Sequence, residues 1–250
     1  MVNPEEPQEQ ENKGKLYIVA TPIGNLEDLT LRALRILDEV DWIACEDTRQ
    51  TRKLLNRYQL KKNLISYYQP KERQKTPKII KLLKEGHDVA LVSDAGTPGI
   101  SDPGFPLIKE AIEEKINIVP IPGTSALTAA LSASGLSTHR FLFIGFPPPK
   151  KEATRKLLSS LKGEEGTLVF YLPLRRLFSF LSLIAEVMGP RQVVIAREMT
   201  KMHEEFLRGT PAELFVNLEK RKLKGESTIL VQGSREKVSK RKMPKDSSGG

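Results

Sequence analysis

The chain has 250 residues, a formal net charge of +9 and a single cysteine. One cysteine excludes an internal disulfide, no apolar run approaches the ~20 residues that a membrane-spanning helix needs, and this length accommodates one large or two modest domains. The charge is unevenly spread, with −3 on residues 1–14 and +4 on residues 235–250, leaving +8 for the stretch between; such an excess favours an anionic partner, nucleic acid first.

Residues 1–14 and 235–250 are low in apolar content, and disorder is expected there. The first fourteen residues are polar and acidic rather than signal-like, so the expectation is a cytoplasmic protein. From Lys15 short apolar runs alternate with helical periodicity. Residues 16–20 read as a strand, and a helix beginning near Thr30 places Leu31, Leu34 and Leu37 on one face. Residues 42–45 make a second strand, 48–58 a second helix and 64–67 a third strand. Thr76 as N-cap and Pro77 at the first helical position then open a helix that Gly86 closes. A strand at 89–92, a helix near 105–114 and a strand at 116–119 complete the series, which predicts a mainly parallel sheet covered on both faces.

Beyond Pro120-Ile121-Pro122-Gly123 the rhythm changes. A helix rich in small residues (125–134) ends at Gly135, and a strand at 141–145 runs into the stiff Phe146-Pro147-Pro148-Pro149. Further strands are predicted at 167–171, 192–197 and 227–232, with helices at about 174–188 and 211–222. The reading is two α/β domains, 15–121 and 122–234, hinged near residues 120–124.

Chemistry concentrates at three strand exits: Thr21-Pro22-Ile23-Gly24-Asn25, the dodecapeptide Ser93-Asp94-Ala95-Gly96-Thr97-Pro98-Gly99-Ile100-Ser101-Asp102-Pro103-Gly104, and Pro122-Gly123-Thr124-Ser125-Ala126. Glycine and proline at that density force shaped loops, and parallel strands bring their exits to one edge, where open α/β sheets bind ligands. Neither a dinucleotide fingerprint nor a P-loop occurs in the chain. Asp94 and Asp102 suit a cationic group better than a polyphosphate. Cys45, flanked by Trp42, Ile43 and Ala44, reads as a packing residue. His203 has Leu207 where a zinc protease needs its second histidine, and no metal site is expected.

Five segments occur in a telling order: Thr-Pro-Ile-Gly-Asn-Leu at 21–26, Glu-Asp-Thr-Arg at 46–49, the dodecapeptide at 93–104, Leu-Ser-Ala-Ser-Gly-Leu at 131–136, and Glu-Glu-Phe-Leu-Arg-Gly-Thr at 204–210. On these residues, across about 15–233, the chain resembles the bacterial small-subunit ribosomal RNA 2′-O-methyltransferases that modify a cytidine, members of the tetrapyrrole methylase superfamily. The resemblance implies the class III methyltransferase fold, two α/β domains with mainly parallel or mixed sheets and the cofactor in the cleft between them. It also implies S-adenosylmethionine as methyl donor, the small ribosomal subunit or its RNA as substrate, and a homodimer. Cofactor contacts are implied at Pro22, Ile23 and Gly24, at Gly96, Thr97, Pro98, Ile100 and Ser101, at Thr124, Ser125 and Ala126, and at Tyr171. Tetrapyrrole enzymes of the superfamily carry Asp where Thr97 stands, and Asp94 is the available substitute. The ribosomal RNA enzymes usually read Phe-Tyr-Glu-Ser-Pro-His-Arg where this chain has Phe170-Tyr171-Leu172-Pro173-Leu174-Arg175-Arg176, so a Glu and a His are missing and two arginines remain.

Methyl transfer to a ribose hydroxyl needs alignment, worth ~7–11 kcal/mol of barrier, and removal of a proton, worth ~10²–10⁴ in rate. Asp47 is the first candidate base and doubles as a candidate helix N-cap. Asp94 and Asp102 are its rivals, with turn formation as their alternative role. Arg49, Arg52, Lys53 and Arg57 recur at helical spacing and form a candidate stripe for RNA phosphates, with Tyr67 or Tyr68 as stacking platforms. Lys150, Lys151, Arg155 and Lys156 form a second basic group. Two competing readings keep the fold: a methyltransferase acting on a tetrapyrrole such as a uroporphyrinogen-like polycarboxylate, and an RNA-binding protein without catalysis.

Overall fold

The computed structural model of the protein describes residues 13–234. The disorder expected of 1–12 and 235–250 lies outside the described residues. Composition groups residues 13 and 14 with the same tail, yet Gly14 is fixed: its N–H donates to the Leu83 carbonyl at 2.8 Å, and a Cβ there would lie 1.9 Å from the His87 carbonyl oxygen.

Ten elements build the first half of the chain: β1 (Leu16–Val19), α1 (Leu31–Glu39), β2 (Trp42–Cys45), α2 (Thr48–Arg57), β3 (Asn63–Ser66), α3 (Glu72–Lys84), β4 (Val89–Val92), α4 (Phe105–Glu113), β5 (Ile118–Ile121) and α5 (Ala126–Ser134). The five strands form one sheet in the order β3-β2-β4-β1-β5, every neighbouring pair parallel. Period-two alternation sorts its faces. Ile43, Cys45, Ala90 and Val92 pack with Ala33, Ile36 and Leu37 of α1 and Leu54 and Leu55 of α2. Ala44, Val89 and Leu91 pack with Ile79, Ile80 and Leu83 of α3 and Leu107 and Ala111 of α4. Both faces are dry, which is why the strands read as unbroken apolar runs.

Two boundaries differ from expectation. Helix α3 begins at Glu72, so Thr76 is not its N-cap and Pro77 lies inside it; the Thr76 hydroxyl turns back to the Glu72 carbonyl at 2.9 Å. The turn Gln69–Lys71 feeds directly into this helix. Strand β5 starts two residues later than its apolar run and includes Pro120, tolerated because β5 is an edge strand paired to β1 alone.

The remaining elements are β6 (Phe141–Gly145), α6 (Lys151–Ser160), β7 (Thr167–Pro173), α7 (Leu177–Met188), β8 (Val193–Arg197), β9 (Glu205–Gly209), α8 (Pro211–Leu218) and β10 (Glu226–Val231). They form a second sheet, β6-β7-β10-β8-β9, in which β6 and β7 are parallel and β7 and β10 antiparallel. Phe170, Leu172, Ile195, Ile229 and Val231 pack with Phe180, Leu181 and Ile184 of the wholly apolar face of α7. Strand β9 and helix α6 are additional to the elements that the apolar pattern predicts. By residue contacts the chain divides into two compact units, the first running to Ala133 and taking in Arg197–Glu205, the second comprising Ser134–Ala196 and the chain from Phe206. The division falls at Ala133/Ser134, at the end of α5, rather than at 121/122.

Candidate active site

The three strand exits implicated by sequence, those of β4, β1 and β5, lie side by side at the carboxyl edge of the first sheet, and the exit of β2, which carries Asp47, lies next to that of β4. The chain leaving β1 and the chain leaving β4 pair as an isolated antiparallel bridge: Thr21 N–H donates to the Gly96 carbonyl and Gly96 N–H to the Thr21 carbonyl, both at 2.9 Å. Gly96 has φ +86°, a left-handed backbone that explains the glycine. Hydroxyls extend the network sideways. Thr21 Oγ1 donates to the Ser93 carbonyl at 3.0 Å, Thr97 Oγ1 to the Thr124 carbonyl at 3.2 Å, and Thr124 Oγ1 to the Thr21 carbonyl. The predicted ligand hydroxyls of Thr97 and Thr124 therefore act as struts that hold the exits of β4, β5 and β1 together.

The rest of the dodecapeptide is shaped by strained backbone. Ser101 has φ +66°, a conformation that costs a non-glycine residue ~1–3 kcal/mol and that clusters at functional loops. Pro98 is buried, whereas Ile100 is 45% exposed and offers an apolar wall on the rim. Pro22 is buried and Ile23 half-buried, with Ile23 Cγ2 lying 3.5 Å from the place a Cβ on Gly96 would take. Gly24 answers to packing: a Cβ there would stand 2.9 Å from the Met199 carbonyl oxygen and 2.7 Å from Thr200 Oγ1, while the neighbouring Asn25 N–H donates to Thr200 Oγ1 at 3.0 Å. Thr124, Ser125 and Ala126 are half-buried at the start of α5.

Of the three candidate bases, Asp47 and Asp94 differ sharply. Asp47 is the N-cap of α2; its Oδ1 accepts the Arg49 N–H at 2.8 Å and its Oδ2 the Arg49 Nη2 at 2.7 Å. Those bonds hold its carboxyl down at about 2. Asp94 takes one bond, from the Asp47 N–H to Oδ1 at 3.0 Å. Asp94 is exposed at the surface, but partial loss of solvent at the strand exit still pushes its carboxyl above the ordinary range, the Asp47 charge adds to this, and the Asp47 N–H and Arg49 oppose it. A weakly basic, fully engaged carboxylate thus sits beside a more basic one that has an oxygen to spare. Asp102 is half-buried farther along the same loop.

On α2, Arg49, Arg52, Lys53 and Arg57 are exposed, on the arc opposite Thr51, Leu54 and Leu55, which are buried. Tyr67 is no stacking platform: it is fully buried, with its hydroxyl 3.3 Å from Thr76 Oγ1. Tyr68 is half-buried, with Lys71 Nζ 5.8 Å from its ring centre. Cys45 is buried and its thiol pushed up by burial, in keeping with packing. Tyr171 belongs to the second unit, on β7, edge-on to Phe143 and Phe146 at 5.0 and 5.6 Å. Among the described residues no three His, Cys, Asp or Glu side chains are placed to hold a metal ion, and no helix is long and apolar enough to cross a membrane.

A parallel sheet with its exits knitted into one rim, followed by a mixed five-stranded sheet, is the architecture of the class III methyltransferases. The uroporphyrin-III-C-methyltransferase of Thermus thermophilus shares it, with a TM-score of 0.62 at 23% identity over 88% of this chain and 94% of that one. The family model of the tetrapyrrole (corrin/porphyrin) methylases matches residues 15–214, and the chain belongs to that family. Two relatives are much nearer in sequence. One from Halalkalibacterium halodurans is 48% identical over 92% of this chain and 80% of its own length. Another from Thermotoga maritima is 50% identical over 88% of this chain and 99% of its own. Both are named ribosomal RNA small subunit methyltransferase I.

Proposed function

We propose that the protein is an S-adenosylmethionine-dependent methyltransferase that modifies the 2′-hydroxyl of a cytidine ribose in small-subunit ribosomal RNA. The observation that carries the substrate is the 50% identity along 88% of this chain to a protein named for that RNA. The first-unit rim fits a sulfonium donor: the loop 93–104 contains two carboxylates and no basic residue, so nothing on it repels a cation. Asp94, Ile100, Ser101 and the chain around Gly96 and Thr97 would hold the donor, with Pro22, Ile23, Ser125 and Ala126 completing the rim. When bound, the donor supplies a methyl group carried on sulfur.

The chain's own part is alignment and proton removal. Struts between Thr21, Thr97 and Thr124 fix the exits before substrate arrives, so little order has to be imposed on binding. Asp94 acts as general base towards the ribose hydroxyl, because a carboxylate of raised pKa is the better proton acceptor near neutral pH. Asp47 holds the first turn of α2 and keeps Arg49 in place. Arg52, Lys53 and Arg57 present cations to RNA phosphates, and the enzyme works as a homodimer in the cytoplasm. Labelled donor incubated with small ribosomal subunits tests the reading: label should appear in RNA, in an alkali-resistant cytidine dinucleotide, and a protein that labels tetrapyrrole precursors instead would overturn it.

A further inference from the structure

The second unit carries a basic pole that the proposed chemistry leaves unused. Three segments distant in sequence meet at one end of its sheet, where β7 ends and β10 begins. Arg176 makes the first tie, its Nη1 donating to the Pro147 carbonyl at 2.9 Å and its Nη2 to the Pro148 carbonyl and, at 3.3 Å, to Thr154 Oγ1. Leu174 makes the second, its N–H donating to the Gly225 carbonyl at 2.9 Å. The pairing of Pro173 with Glu226 continues that contact. Segments 147–152, 173–177 and 219–226 are thereby neighbours, and together they carry eight basic and three acidic residues.

Much of this charge is unspent. Lys150, Arg175, Lys220, Lys222 and Lys224 are exposed and have no ion pair among the described residues. Of the three acids, Glu152 is taken by Arg155. The other end of β7, about 20 Å away at ~3.3 Å per residue, is balanced: Arg140 pairs with Glu164 at 3.1 Å and with Glu165 at 3.5 Å. Like charges gathered on one end in excess of their counter-charges repel one another until an anion neutralises them. The three segments contain no exposed large apolar side chain, so they suit a polyanion's backbone rather than an apolar partner or a lipid interior. The proline run and the Arg176 ties hold the cations in place before binding, which lowers the ordering cost.

We infer that this pole, formed by the ends of β7, α8 and the Pro147–Lys151 turn, is a second RNA-backbone contact that grips the phosphates of the substrate RNA away from the modified nucleotide. The inference rests on the RNA-methyltransferase reading. It implies that recognition extends over folded RNA and that short oligonucleotides are poor substrates.

The test uses the full chain and a transcript of the small-subunit RNA, with binding measured across a salt series. The combined variant Arg175→Ala, Lys220→Ala, Lys222→Ala and Lys224→Ala should bind at least about tenfold more weakly and lower the slope of log K against log salt by about 3, since each phosphate contact contributes roughly 0.7–0.9. A charge-matched control, Lys78→Ala, Lys81→Ala, Lys84→Ala and Lys109→Ala on α3 and α4, should change binding less than about twofold. Circular dichroism melting and donor affinity should match the wild type in both. An unchanged slope in the first variant, or an equal loss in the control, overturns the inference while wild-type labelling of RNA leaves the function standing. Wild-type protein that neither binds nor labels the RNA overturns the function and this contact with it.

Discussion

The two sheets are each five strands wide, yet they spend their edges differently. In the first, parallel pairing sends every strand exit to one edge, and threonine hydroxyls lock those exits to one another through backbone carbonyls. In the second, an antiparallel β10 divides the ends, and aromatic rings and cations occupy what the first sheet fills with glycine, threonine and aspartate. A parallel sheet concentrates backbone groups where a small ligand needs them, whereas a mixed sheet disperses them and leaves a surface suited to a larger partner.

The largest expected effect is on catalysis at the first edge. Asp94→Asn keeps an acceptor for the Asp47 N–H but removes the base, and kcat should fall ~10²- to 10⁴-fold, with a smaller loss of donor affinity from the missing negative charge. Asp47→Asn should lower the melting temperature while costing less than about tenfold in rate; the reverse ranking would move the base to Asp47. On the second sheet, Phe170→Ala beside Phe180 (ring centres 5.1 Å apart) should cost ~3–5 kcal/mol by chemical denaturation. A single unfolding transition lowered as a whole would show the two units to be one cooperative system.

Smaller effects sharpen the contrast within the first edge. Gly96→Ala places a side chain at φ +86° and should cost ~1–2 kcal/mol together with donor affinity, whereas Gly189→Ala, at φ +76° with open space around it, should cost stability alone. Acidity separates the two aspartates. The Asp47 carboxyl is depressed from 3.8 to about 2, so its contribution to stability is present above the unfolded value and is lost as pH falls from about 4 towards 2. The Asp94 carboxyl is raised, so its ionisation opposes folding as pH climbs, and the acid limb of kcat should lie above 3.8, the ordinary value. That limb should vanish from the residual activity of Asp94→Asn. The smallest effect is Tyr67→Phe, which removes the hydroxyl contact to Thr76 and should cost ~0.5–1.5 kcal/mol with no loss of RNA affinity.

Much of the first edge was legible in the chain because its loops are dictated by local chemistry. Strands β2 and β4 fall where their apolar runs end, and the exits that follow announce themselves by glycine, proline and threonine. What escaped was set by distant partners. Strand β9, Glu205–Gly209, is short and half-buried at every position except the exposed Arg208, so it has no alternation to read. Helix α6 looked like a basic patch because Thr154 and Leu158 are its fully buried residues. Pro77 marked a helix start by the usual rule, but the incoming turn at Gln69–Lys71 had already nucleated the helix. Tyr67, one residue from an exposed loop, is buried because the exit of β3 turns it inward under α3. The contrast in acidity between Asp47 and Asp94 was invisible in sequence, since it depends on the hydrogen bonds that Arg49 makes to Asp47.

The segment Arg197–Glu205, which packs with the first unit and supplies Thr200 to Asn25, has a consequence for biosynthesis. The first unit is interrupted in sequence by more than sixty residues of the second, so a nascent chain cannot finish it in vectorial order. The loop around Gly24 must wait, unsupported, until residue 205 has cleared the exit tunnel, and a fragment stopped at residue 133 would carry an incomplete first loop however well its sheet had assembled.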